Sequence, residues 1–217
     1  MQVSDLIKKS LQLIGVVAAG ETPSPEDLND GFDKLNMLVR SWNAQQLPLF
    51  AISKQTVTLT GANSYNLATR TLRIKSATVI TSIGTSQSPA IVDVLGWNGI
   101  PDKTRTGVFA ESLFCDYAYP TAAVYLTPRP ASGTLEIWAH PALAQFTSTS
   151  QVIDLPDGFE RALCYALAID LAPEYGRSAP PEVVGIANES KNAITQLNAI
   201  VMGEMAPGSG ATAQTAA

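Results

Sequence analysis

The chain has 217 residues, enough for one domain or one with an elaboration at about 100–200 residues per domain, and too few for two large independent ones. Hydrophobic residues make up 46% and charged residues 15%, which excludes a disordered chain and leaves more apolar surface than water alone would favour, a sign of partners. The formal net charge of −5 argues against a protein that grips DNA, because such grip comes from clustered Lys and Arg that neutralise phosphates.

The two cysteines, Cys115 in a strand-like run and Cys164 in a helical one, cannot build a disulfide framework or a Cys-rich zinc site, and both read as small apolar core residues. No segment reaches the roughly 18 uninterrupted apolar residues of a membrane span, and Asp5, Lys8 and Lys9 interrupt the start where a signal peptide is apolar. The expectation is a protein made and kept in cytoplasm, or in something assembled there, without membrane anchoring.

Val3, Ile7, Leu11 and Ile14 recur at helical spacing behind Ser4 as a cap, with Leu6, Leu13 and Val17 widening the stripe and Gly15 or Gly20 as the stop. A second helix starts with Ser24 as N-cap, Pro25 at the first position and Glu26 and Asp27 facing the positive end of the helix dipole. It carries Leu28, Leu35, Leu38 and Trp42 on one face and ends before Pro48.

From about Gln55 the rhythm changes to period two: Val57 and Leu59 flank Thr58, and Leu72, Ile74, Ala77 and Val79 continue among Thr, Ser and Lys. Turn signals at 61–63, Gly84, Gly96 to Gly99, Gly107 and 128–133 are spaced as in a small antiparallel sandwich or barrel. Ala122 to Thr127 paired with Thr134 to His140 reads as the clearest hairpin.

Helical rhythm returns where Asp157 and Glu160 resemble a capping box and Phe159, Leu163, Leu167 and Leu171 recur every four residues, stopping near Pro173. A last helix starts at Pro180-Pro181-Glu182 and carries Val183, Ala187, Ile194, Leu197 and Val201 on one face. After Met205 the chain becomes a low-complexity tail. The expected fold is α+β: helix pairs in 1–52 and 154–204 packed as one bundle, an inserted β-sandwich or barrel-like domain at 55–153, and a flexible tail at 205–217.

Ser4-Asp5-Leu6-Ile7, then Gly20 to Asp27, then Leu35-Asn36-Met37-Leu38 to Ser41-Trp42 resembles the N-terminal helical pair of tailed-phage head-to-tail adaptors. Asp154 to Leu163, followed by Leu171-Ala172-Pro173-Glu174-Tyr175-Gly176, is similar to the C-terminal pair of the same group, the packaged-DNA-stabilisation or tail accessory factors of short-tailed phages. The motif residues are Pro25, Trp42, Asp157, Glu160, Pro173, Glu174 and Tyr175.

The resemblance implies a non-enzymatic virion protein at the head-tail junction. It implies a twelve-subunit ring under the portal protein that seals the channel after packaging and offers a platform to the tail nozzle or hub. DNA would pass through without sequence-specific binding. Members reach the portal with an extended C-terminal segment, which here makes Pro207 and Gly208 candidate contacts. The β insertion departs from the compact members and is nearer to the larger adaptors. Its assignment is to contacts between neighbouring subunits or with the tail nozzle.

Catalytic readings have bland competitors. His140 is the sole histidine and no G-x-S-x-G stretch accompanies it, so it reads as a polar strand-end residue rather than part of a triad. The carboxylate pairs Asp154 with Asp157 and Asp170 with Glu174 have the residue types of a glycoside hydrolase, yet their settings at helix ends explain them. No phosphate loop or cofactor motif is present. Arg70, Arg73 and Lys75, then Lys103 and Arg105, are the densest basic clusters and read as a solvated face or subunit salt bridges. Trp42 belongs to the helical core, Trp138 to the inner face of its hairpin, and Trp97, in a Gly-bounded loop, is the candidate partner contact. The alternatives from other classes are a virion-associated peptidoglycan hydrolase and a β binding module with helical support.

Overall fold

The computed structural model describes residues 1–47, 52–155 and 158–203, with the backbone alone over 197–203. Among these residues the chain forms five helices and ten strands in a mixed α+β arrangement. Helices α1 (Val3–Leu13), α2 (Pro25–Ala44), α4 (Phe159–Leu171) and α5 (Pro181–Gly203) flank a β segment that also holds the short helix α3 (Val94–Asn98).

The strands are β1 (Ser53–Leu59), β2 (Tyr65–Asn66), β3 (Thr71–Ile80), β4 (Ser86–Gln87), β5 (Ala90–Val92), β6 (Thr106–Gly107), β7 (Ser112–Cys115), β8 (Ala123–Thr127), β9 (Arg129–Pro130) and β10 (Gly133–Pro141).

The four-residue recurrence of apolar side chains places α4 at the centre of the helices. Phe159, Leu163, Leu167 and Leu171 are fully buried, and α4 packs against α1, α2 and α5. A helix apolar around most of its circumference is what a central position requires. Trp42 of α2 meets Phe159 edge-on, with ring centroids 5.9 Å apart. The buried Ser10 hydroxyl of α1 lies 3.0 Å from the Leu6 carbonyl and 2.9 Å from that of Cys164, so its one proton serves either within its own helix or across to α4. Ser4 is inside α1 and not its cap. The start is held from Asp5, whose carboxylate accepts the Gln2 N–H at 3.1 Å.

Gly31 lets α1 and α2 approach, because a Cβ there would collide with Ile7. Although alanine is the better helix former, Gly31→Ala is expected to destabilise the fold by about 1–3 kcal/mol through overpacking. A lowered denaturant midpoint checks this, and a raised one would contradict the close approach.

Two four-stranded sheets, ordered β1-β10-β3-β4 and β2-β8-β7-β5, share one apolar cluster. Leu59, Ile74, Val79, Leu135 and Ile137 come from the first and Leu113, Val124 and Leu126 from the second. Both sheets are open, so no closed barrel forms among the described residues. The pairing is antiparallel except for β5 with β7 and β6 with β9, which run parallel and correct the all-antiparallel expectation.

The hairpin expected between 122–127 and 134–140 is absent. β8 pairs with β2 and β7, whereas β10 pairs with β1 and β3. The cause lies in the connection: Arg129–Pro130 is occupied as β9 beside β6, so the chain crosses from one sheet to the other instead of turning back. Trp138 consequently faces outward at 43% exposure, because Ile137 and Ala139 take the inner positions.

The rhythm in β3 slips phase between Ile74 and Ala77, both buried, which strict alternation forbids. A β-bulge explains it, with Trp138 opposite Ser76 and Ala139 opposite Ile74, leaving Lys75 as the extra residue.

The return from β10 to α4 is fastened to the helices by polar groups. Asn36 of α2 donates to the Phe146 carbonyl at 3.1 Å and accepts its N–H at 2.9 Å. Seven residues on, Asn43 makes the same pair with Leu143 at 2.9 and 2.8 Å. The spacing puts both amides on one helix face, where each satisfies a backbone segment that lacks a strand partner. The N-terminus completes the tie, with Val3 N–H donating to Gln151 and Ile153 N–H donating to Met1.

Candidate functional site

The Ala172 to Arg177 stretch fastens α4 and α5 to both N-terminal helices. Pro25 stands at the first position of α2 behind Ser24, whose hydroxyl accepts the Asp27 N–H at 3.1 Å. The Ser24 hydroxyl donates to Asp27 Oδ2 at 2.7 Å, and Tyr175 reaches across and donates its hydroxyl to Asp27 Oδ1 at 2.8 Å. Glu174 meets Lys34 at 2.7 Å, and Arg177 donates to the Ile14 carbonyl at the end of α1 at 3.4 Å. Pro173 lines a groove of about 660 Å3 between α2, α4 and α5, beside Trp42, Met37 and Asp170. Glu160 stands in the first turn of α4 behind Gly158, the cap residue at φ 87°. Asp157, Pro207 and Gly208 lie outside the described residues, as does the expected stop at Pro48.

The hydrogen bonds from Ser24 and then Tyr175 hold the Asp27 carboxyl below its ordinary value of 3.8. A carboxyl whose folded value is depressed adds stability above its unfolded value and loses it as pH falls through the folded one. Tyr175→Phe is therefore expected to destabilise the protein at neutral pH and to converge on the parent below pH 3.8. Paired acid titrations of stability check this, and a gap that widens toward low pH would contradict it.

The other titratable groups are accounted for structurally. Burial pushes the Cys115 thiol up to about 11 and raises Cys164 as well, which suppresses the nucleophilic thiolate. Partial desolvation at the groove wall also raises Asp170, against the opposing pull of Lys34. His140 is 1% exposed inside β10, where no substrate reaches it from solvent. Arg70 lies over the Tyr119 ring at 5.1 Å, so the first basic cluster is partly engaged within the chain.

Trp97 sits in α3 and not in a loop, since the Asp93 carboxylate accepts the Gly96 N–H at 2.8 Å and caps a short helix. Its ring stacks on Phe114 at 5.7 Å and tilts against Tyr125 at 6.0 Å. Around it the β segment displays Ile91, Val94 and Leu95, and elsewhere Ile83 and Val108, a concentration of exposed aliphatics characteristic of contact surfaces.

Sequence reasoning missed Asn36, Asn43, Lys34 and Arg177. A signal existed for the asparagines, which interrupt the apolar stripe Leu35, Leu38, Val39, Trp42 at positions a helix buries.

Polar groups committed to holding elements together, and apolar side chains presented on the β segment, are the marks of a structural component. The family model described as SU10 adaptor protein matches residues 1–213. The chain belongs to that family, a family of phage head-tail adaptors. No curated protein matches it.

Proposed function

We propose that the chain is a non-enzymatic head-to-tail adaptor subunit. Twelve copies form a ring beneath the portal protein, seal the DNA channel after packaging and give the tail nozzle or hub its attachment platform. It acts at the head-tail junction of the virion after synthesis in the host cytoplasm. The observation that carries the reading is the reach of the family match, which spans 1–213 and so takes in both helical ends and the β segment.

Two apolar clusters, one among the helices and one between the sheets, support a division into a helical unit, 1–52 with 154–204, and an inserted β unit, 55–153. The helical unit forms the ring wall, the β unit meets neighbours or the tail, and the segment 205–217, with Pro207 and Gly208, reaches the portal. The net charge of −5 supports passage of DNA without adhesion, since like charges repel. The direct test is whether the purified chain adds to the portal particle.

The hydrolase reading has less support. Glu174 is engaged by Lys34, and Asp170 beside it is an exposed residue of α4 that lines the groove toward α2 and α5. A zymogram with the full chain is expected to show no peptidoglycan clearing; a cleared band that disappears in Asp170→Asn would overturn the non-enzymatic part of the proposal.

A further inference from the structure

Trp97, the candidate partner contact, and the Lys103 cluster meet at one place. A cavity of about 230 Å3 is lined by Asn63, Trp97, Lys103, Tyr125, Leu126 and Arg129. Lys103 lies 5.8 Å above the Trp97 ring, so the aromatic cluster holds an ammonium at the rim. Arg129 reaches the same cavity from β9, and both cations are half-buried.

Among the described residues neither cation is paired with a carboxylate. The nearby acids are engaged elsewhere. Glu111 is bound by Arg105 at 2.6 Å, and Asp102 accepts the Thr104 N–H and hydroxyl at 2.8 and 2.6 Å. Cations without counter-charge favour an incoming anion, and such complementarity steers encounter and fixes register. On a chain of net charge −5 this is a local reversal of sign.

The flank of the cavity narrows the class of ligand. Val94 and Leu95, on the same helix as Trp97, are 54% and 76% exposed. A Trp, a Tyr and an Arg together have the composition of a protein-binding hot spot, and exposed aliphatics beside them add the apolar surface that interaction sites present. A bare phosphate has no use for the aliphatics. A nucleobase would need a free ring face, whereas Trp97 is already engaged by Phe114, Tyr125 and Lys103.

We propose that the face formed by Val94, Leu95 and the Lys103–Arg129 cavity docks a protein segment that pairs an acidic side chain with apolar neighbours. Charge complementarity names the occupant: its carboxylate enters between the two cations while its apolar side chains cover α3. The inference rests on the adaptor reading only in drawing that segment from another protein of the particle.

The test follows the Trp97 indole N–H resonance of the full chain, assigned with Trp97→Phe, during titration with an acetylated, amidated Leu-Glu-Leu-Glu peptide, inorganic phosphate and a short DNA duplex. The peptide is expected to shift the resonance. Reversing both charges, Lys103→Glu with Arg129→Glu, is expected to weaken the effect about tenfold or more, as for the loss of close charge pairs at interfaces. Lys75→Glu, a cation on the other sheet, should bind as the parent does. If the double variant misfolds, Lys103→Gln and Arg129→Gln singly carry the same expectation.

No shift with millimolar peptide, or a shift undiminished by the charge reversals, overturns the inference. So does phosphate or duplex matching the peptide, since the cavity is then a phosphate site. The adaptor reading fails separately, by absence of assembly on the portal.

Discussion

Trp42→Ala is expected to lower the unfolding free energy by about 3–5 kcal/mol, the range for removing a large buried aromatic, as read from the denaturant midpoint with unchanged slope. Trp42 is 2% exposed and packs edge-on against Phe159, itself fully buried at the start of α4. Its loss removes transfer free energy, leaves a cavity between helices contributed by the two ends of the chain, and forfeits the aromatic contact. Domains of this size have about 5–15 kcal/mol of stability in total, so the variant should stand near the edge of folding. Trp42→Phe keeps part of the packing and should recover a good share of the loss. If Trp42→Ala cost no more than a surface substitution, the two chain ends would not share the core described for them.

The second large effect concerns polar atoms. Asn36→Leu with Asn43→Leu is expected to cost several kcal/mol although both changes add apolar volume, because each orphans a backbone N–H and C=O at about 1–3 kcal/mol for each buried unsatisfied group. The groups are those of Phe146 and Leu143, in the segment that brings the chain back from the sheets. Hydrogen exchange supplies the specific readout. Protection should fall at the Leu143 and Phe146 amides, while the Leu135 and Ile137 amides of β10 keep theirs. Loss of protection spread evenly over both sheets would show instead that the asparagines support the whole β segment.

How much of this was legible in the sequence depends on how local the cause is. The start of α2 at Ser24-Pro25 follows from capping and from the fixed φ of proline, both of which act within a turn. The four-residue recurrence of Phe159, Leu163, Leu167 and Leu171 likewise announces the buried face of α4. The hairpin at 122–140 misled because two adjacent alternating runs satisfy the rule for a hairpin equally well when they belong to facing sheets. Only the pairing of β9 with β6 decides between them. Trp138 was misplaced by the same error.

Tyr175 and Glu174 stood out as a motif, yet their partners Asp27 and Lys34 are 148 and 140 residues away in sequence by simple subtraction, and no local pattern encodes such pairs. The asparagines of α2 were readable in principle, since polar residues on a buried stripe demand partners. The identity of those partners was not. Trp97 stands out in the sequence as an aromatic between glycines, but its surroundings, a short capped helix over Phe114 and Tyr125, required the sheet to be in place.

The most direct test of the adaptor proposal is the mass of the purified chain by light scattering, first alone and then mixed with the portal protein encoded by the same genome. The proposal predicts a portal particle heavier by twelve copies of the chain, whether or not the chain assembles by itself. A portal whose mass stays unchanged at every salt concentration would contradict it.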